Sequence, residues 1–181
     1  MPHPDYSPID LAVIGGSGLY KFPGLENTTR HSVDTPYGPA SGDVVLGDFA
    51  GMRVAFLARH GESHSLPPHR VNYRANVWAL HSLGARRVIG VNAVGGIRAD
   101  MGPRVIVVPD QLIDYTHGRT TSYCDIDGAE VRHIDFSEPY TESLPSSCWP
   151  GRVRQASRRS TAAATAPPRG RDWKPVPRSP A

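Results

Sequence analysis

Arg59, His60, Glu62, His64 and His69 all fall within FLARHGESHSLPPH, Phe56 to His69. A guanidinium presents a planar fork that matches two oxygens of a phosphate, and an adjacent imidazole can donate a further hydrogen bond or act as a nucleophile. The chemistry on offer is recognition of an oxyanion, with His60 either attacking a phosphoryl group or only helping to hold it. Two other short stretches could take part. GGSG at 15–18 offers backbone N–H groups and the Ser17 hydroxyl where glycine lets an anion approach closely. Asn92-Ala93 closes another apolar run with small, amide-bearing chain. GGSG has neither the dinucleotide spacing GxGxxG nor the GxxxxGK[ST] of a P-loop, so by itself it reads first as a structural turn. Arg59-His60 by itself reads first as an oxyanion cradle and second as a solvated pair.

What joins the three stretches is their place in the chain. LAVIGGSG (11–18), RVAFLA (53–58) and RVIGVNAVGG (87–96) are apolar runs of strand length, each ending in small residues. Between the last two, NYRANVWALHSLG (72–84) carries Ala75, Val77, Trp78, Leu80 and Leu83 at roughly helical spacing, with Asn72 placed to cap its start and Gly84 at the C′ position. A strand, a crossover helix and a strand imply parallel pairing, and open α/β sheets bind ligands beyond the carboxyl ends of their strands. The three turns could thus surround one anion. VIVVPDQLID (105–114) reads as one more buried strand, THGRTTSY (116–123) as loop, with HIDFSEPY (133–140) beyond it.

A length of 181 residues suits one domain with a single core. Cys124 and Cys148 form no CxxC pattern and no disulfide framework, which points to a reducing, cytoplasmic compartment and to no metal site. No apolar run approaches the roughly 20 residues of a bilayer span, and MPHPDYSPID is not a signal peptide, so no membrane partner is expected. The net charge of +3 is unevenly spread: residues 1–144 hold 12 basic and 16 acidic side chains, whereas residues 145–181 hold 8 and 1. A mildly acidic body with scattered basic residues lacks the footprint of a nucleic-acid binder.

The character of the chain changes after Leu144. Residues 145–181 contain 7 of the 18 prolines and no Ile, Phe, Tyr or His. Such a stretch cannot bury enough apolar surface to offset its ordering entropy, so a disordered basic tail is expected, beginning where the domain of 1–144 ends. A G+C-rich gene read out of frame from that point would yield the same composition.

RHGES resembles the opening signature of the histidine phosphatases, in which the histidine takes up phosphate covalently. In that family the motif lies on the first strand, and a second, late histidine is required. Here a glycine-turn strand precedes it, and the last 48 residues contain no histidine. The ordered set IGGSGLY, TPYGPAS, RHGESHSLPPHRVNYRANVWAL, VNAVGGIR, PDQLIDYT and HIDFSEPY instead strongly resembles the methylthioadenosine phosphorylase family over about residues 9–144. The paired prolines before HRVNYRAN, and NAVGG, are most similar to its bacterial S-methyl-5′-thioinosine phosphorylase branch.

That resemblance implies an α/β fold of the purine nucleoside phosphorylase type, three αβα layers around a central mixed sheet, with the C-terminal part of the fold missing. It implies phosphorolysis of a methylthio-purine nucleoside, with inorganic phosphate as co-substrate and nucleophile and with no organic cofactor or metal. Ser17, Arg59, His60, Asn92 and Ala93 match the family's phosphate-binding positions. His64 and Pro67 to Val71 match the sugar side of its pocket, and Ala93, Val94 and Gly95 the ribose and base side. His133 matches a histidine that reaches a neighbouring subunit's site, which implies a homotrimer. The family's base-contacting residues fall in a C-terminal part that this sequence does not show, so a choice between hypoxanthine and adenine rests on the N-terminal motifs. A chain without that part is expected to be poorly soluble or partly folded, and at best feebly active. A protein that binds purine nucleosides without turnover is the third reading, beside phosphorylase and phosphatase.

Overall fold

The computed structural model describes residues 8–125 and 129–141, together with the backbone of Val153–Ala156. These residues divide into two units, Met1–Val94 with Thr116–Arg132, and Gly95–Tyr115 with His133–Ala181.

The first unit is built on a five-stranded mixed sheet. Its strands are β1 (Leu11–Gly15), β2 (Glu26–His31), β3 (Val44–Phe49), β4 (Met52–Ala58) and β5 (Val88–Val91), in the spatial order β2-β3-β4-β1-β5. β1 runs parallel to both β4 and β5, while β3 is antiparallel to β4 and β2 to β3. The expected parallel relation of β4 and β5 holds, but the two do not pair with each other: β1 lies between them. β4 is buried along Val54–Ala58 on both faces of the sheet, as a near-continuous apolar run should be. Ala55 and Leu57 join Ala12, Leu46, Ala79, Leu80 and Leu83 in one core cluster. Val54, Phe56 and Ala58 face the other way, with Val13 and the partly buried Leu19, Phe22 and Leu25. One side of the sheet is therefore covered by a helix and the other, among the described residues, by the chain that follows β1.

That helix, α1 (Tyr73–Ser82), forms where its spacing places it. The Asn72 side chain accepts from Ala75 N–H, and Gly84 follows the C-cap at φ 99°. Its buried face is Ala75, Asn76, Ala79 and Leu80. Val77 and Trp78, two of the apolar residues at helical spacing, are 43% and 37% exposed. Asn76 is buried instead, with both amide atoms bonded: its Oδ1 accepts from Ser41 N–H at 2.8 Å and its Nδ2 donates to Ser41 Oγ at 2.9 Å. Trp78 instead packs edge-on against Tyr37, which also meets Tyr123 and lies beneath the Arg74 guanidinium.

The second unit contains β6 (Ile106–Pro109), paired in parallel with β7 (Val153–Ala156). The expectation of a buried strand at 105–114 is corrected here. The strand is four residues long, Ile106 is 48% exposed and none of the others is fully buried, because it lies in a two-stranded sheet apart from the central one. β7 falls in the stretch expected to be an unstructured tail, so four of its residues are strand. The rest of that stretch, and with it the out-of-frame reading, lies outside the described residues. THGRTTSY and HIDFSEPY contain neither helix nor strand. No helix among the described residues is long and apolar enough to cross a membrane.

Candidate functional site

Parallel pairing fixes where the three turns emerge. Gly15, the last residue of β1, is in register with Ala58 of β4 on one side and with Val91 of β5 on the other. The residues that follow, Gly16-Ser17, Arg59-His60 and Asn92-Ala93, therefore leave the sheet side by side at one edge. Arg59 N–H donates to Gly15 O at 2.9 Å, which extends the ladder by one step beyond the strand ends.

Arg59 joins the turns through its side chain. Its Nη1 donates to Asn92 Oδ1, and its Nε points at His60 Nε2 at 3.4 Å. The guanidinium lies against Gly16: a Cβ built there would be 2.8 Å from Arg59 Nη2 and 2.5 Å from Val91 O. Only glycine leaves room for this close approach, whatever its φ. Ser17 is exposed in the next position. A guanidinium held against a glycine turn, an imidazole and a carboxamide is equipment for holding a tetrahedral oxyanion.

His60 is 5% exposed and doubly tied to Leu66. Its Nδ1 bonds Leu66 O at 2.8 Å, while Leu66 N–H donates to His60 O at 3.0 Å. The turn between them reverses through Gly61 at φ 74° and His64 at φ 54°. His64 is exposed and its Nδ1 lies 3.1 Å from the Tyr20 hydroxyl. Pro68–Arg70 form one 3-10 turn that leads into buried Val71 and then α1.

Charge around the turns is arranged by one surface pair. Arg30 of β2 grips Glu62 with both terminal guanidinium nitrogens. The hydrogen bond from Arg30 holds the Glu62 carboxyl below the usual glutamate range, and Glu62 in turn raises Arg30. An acidic side chain two residues from His60 would repel an anion; paired, its charge is largely cancelled locally.

Of the residues singled out in the sequence, the structure brings Arg59, His60 and Asn92 into contact and sets Ser17 next to them. His64 joins through the ring of His60, 5.0 Å away between centroids. Ala93 and Val94 continue the third turn, Val94 being 82% exposed. Gly95 and His133 belong to the second unit, and the cluster described here consists of first-unit residues alone. Tyr20, Leu66 and the Arg30–Glu62 pair were not expected. Among the described residues no cluster of three or more His, Cys, Asp and Glu could hold a metal ion.

A parallel-stranded edge whose turns bring an arginine, a histidine and an asparagine together defines an α/β protein with a candidate oxyanion site. The chain belongs to the phosphorylase superfamily, which it matches over residues 10–149. A probable S-methyl-5′-thioinosine phosphorylase of Xanthomonas campestris pv. campestris is 59% identical over 138 residues, covering 76% of this chain and 55% of its own. A purine nucleoside phosphorylase of Streptomyces coelicolor is 49% identical, covering 92% of this chain and 55% of its own. Among solved structures, a methylthioadenosine phosphorylase from an antarctic soil metagenomic library is similar with TM-score 0.66 and 45% identity, over 73% of this chain and 45% of that one. The chain spans about half the length of the curated relatives it matches.

Proposed function

We propose that this protein acts in the phosphorolysis of S-methyl-5′-thioinosine, giving hypoxanthine and 5-methylthioribose 1-phosphate. The observation that carries the reading is the convergence of Arg59, His60 and Asn92 over Gly16 at one sheet edge. In this reading Ser17, Arg59, Asn92 and Ala93 hold inorganic phosphate, with His60 serving it through the Arg59 guanidinium that its Nε2 faces, while His64, Ala93, Val94, Gly95 and His133 serve the nucleoside. The bond from the sugar C1′ to the purine nitrogen breaks as a phosphate oxygen bonds to C1′. The electron pair leaves on the purine, which takes up a proton. Positive charge gathers on the sugar in the transition state, and a phosphate dianion held beside it stabilises that charge before adding to it. Phosphate is the nucleophile, so the protein need supply only position and field. This argues against a phosphohistidine on His60, whose ring is engaged at both nitrogens by Leu66 and Arg59.

The thioinosine preference is supported by the 59% identical relative, and homologues named for purine nucleosides and methylthioadenosine make those the second reading. A homotrimer in the cytoplasm goes with the proposal; sedimentation of the purified protein tests the assembly. The deciding measurement is release of hypoxanthine from methylthioinosine with and without phosphate, with methylthioadenosine and inosine assayed beside it. Phosphate-dependent release supports the reading. Equal release in phosphate-free buffer would make the protein a hydrolase and end it.

A further inference from the structure

Tyr20 lies four residues beyond Gly16 and has no part in the reading above, yet its hydroxyl reaches across 44 positions of chain to His64 Nδ1 at 3.1 Å. The two rings meet edge-to-face, 5.5 Å between centroids at 78°, and His64 in turn lies against His60. Leu19 N–H donates to Gly16 O at 3.0 Å and His64 N–H to Gly61 O at 3.1 Å, so each partner is anchored in the turn that carries it. We propose that Tyr20 is a positioning residue of the candidate phosphate site, donating its hydroxyl proton to His64 Nδ1 and so holding His64 in the tautomer opposite to that of His60.

The argument is one of donors and acceptors. A carbonyl oxygen only accepts, so His60 Nδ1, 2.8 Å from Leu66 O, carries its proton there. Neutral His60 then has only a lone pair at Nε2, which suits the Arg59 Nε–H that faces it. At His64 the partner is a phenol. A phenolic hydroxyl is a stronger donor than a neutral imidazole N–H, and an imidazole nitrogen a stronger acceptor than a phenolic oxygen, so the proton on the bond belongs to Tyr20. His64 is left with its proton on Nε2, as the donor it can offer to an oxygen of sugar or phosphate. The same bond clasps the turn after β1 to the turn after β4. An exposed histidine on a left-handed backbone residue, φ 54°, would otherwise sample several rotamers, and that freedom would be lost on binding.

Two measurements on the full chain test this, of which only the second rests on the phosphorolysis reading. At about pH 8.5, above the ordinary imidazole range, two-bond 1H–15N correlation of the wild type should show His60 protonated at Nδ1 and His64 at Nε2. In Tyr20→Phe, which keeps the ring, His64 should relax to a mixture while His60 is unchanged. Wild-type His64 protonated at Nδ1, or a Tyr20→Phe spectrum identical to wild type, overturns the proposal. In the activity assay Tyr20→Phe should raise the KM for phosphate or nucleoside about 3- to 10-fold, the scale of one hydrogen bond, with kcat little altered and Tm within about 2 °C. A changed tautomer with both KM values unchanged, or a KM rise matched by a large fall in Tm, also overturns it. If no variant shows phosphate-dependent turnover, the functional reading fails, and the tautomer result still decides between a donating and an accepting Tyr20.

Discussion

Gly16 sets the tightest constraint at the scale of single residues. A methyl group there meets a backbone carbonyl, Val91 O, at 2.5 Å and the Arg59 guanidinium at 2.8 Å. The guanidinium could move aside; the carbonyl belongs to the sheet and cannot move cheaply. Gly16→Ala is expected to cost about 1–3 kcal/mol in a urea melt and to lower the affinity for inorganic phosphate, read by calorimetry. The Glu62–Arg30 pair gives a pH signature. Because Arg30 holds the Glu62 carboxyl below its ordinary range, the pair's contribution is fully present above the ordinary glutamate range. It is lost as pH falls through the lowered folded-state value. Glu62→Gln should therefore be slightly less stable than wild type at pH 7, and the gap should close in acid and narrow in high salt, since both side chains are exposed. Arg59, His60 and Asn92 were legible in the sequence because each directly follows an apolar run. Tyr20 and Arg30 were not: their partners lie 44 and 32 positions away, and nothing local marks either.

At the scale of elements, legibility follows hydrophobic patterning. β1, β4 and α1 announce themselves by their apolar residues, and the Asn72 cap by its type and place. β2 is ENTTRH, exposed along nearly its whole length on the sheet's edge, so no pattern of burial was written into it. α1 shows the converse limit: of the apolar residues at helical spacing Val77 and Trp78 are exposed, while a hydrogen-bonded Asn76 is buried. The β3–β4 hairpin turns through Ala50 and Gly51, at φ 50° and 77°, with Phe49 and Met52 paired at its base. Positive φ at both central residues is what a type I′ turn demands, and an alanine there is strained against its own Cβ. Ala50→Asn, which supplies the preferred Asn-Gly pair, is expected to stabilise the protein by about 1 kcal/mol, seen as a higher denaturant midpoint at unchanged slope.

For the whole molecule, the described sheet ends in β5, a four-residue strand with Val88 47% and Val91 37% exposed. An edge strand with apolar side chains in solvent invites pairing with another chain. Val88→Lys should lower light scattering of concentrated protein and leave the unfolding midpoint nearly unchanged; equal scattering would show that self-association starts elsewhere. The mixed sheet and the family were readable because motifs and strand ends coincide. The two-unit division was not, since β6 resembles a core strand in composition and is distinguished only by its partner. The Ala50–Gly51 hairpin has one more bearing. It sits at the opposite end of β4 from Arg59, seven strand residues or roughly 20 Å away. A fluorophore, affinity handle or short peptide grafted there should leave any phosphate affinity untouched, giving an attachment point from which the candidate anion site can be watched without being disturbed.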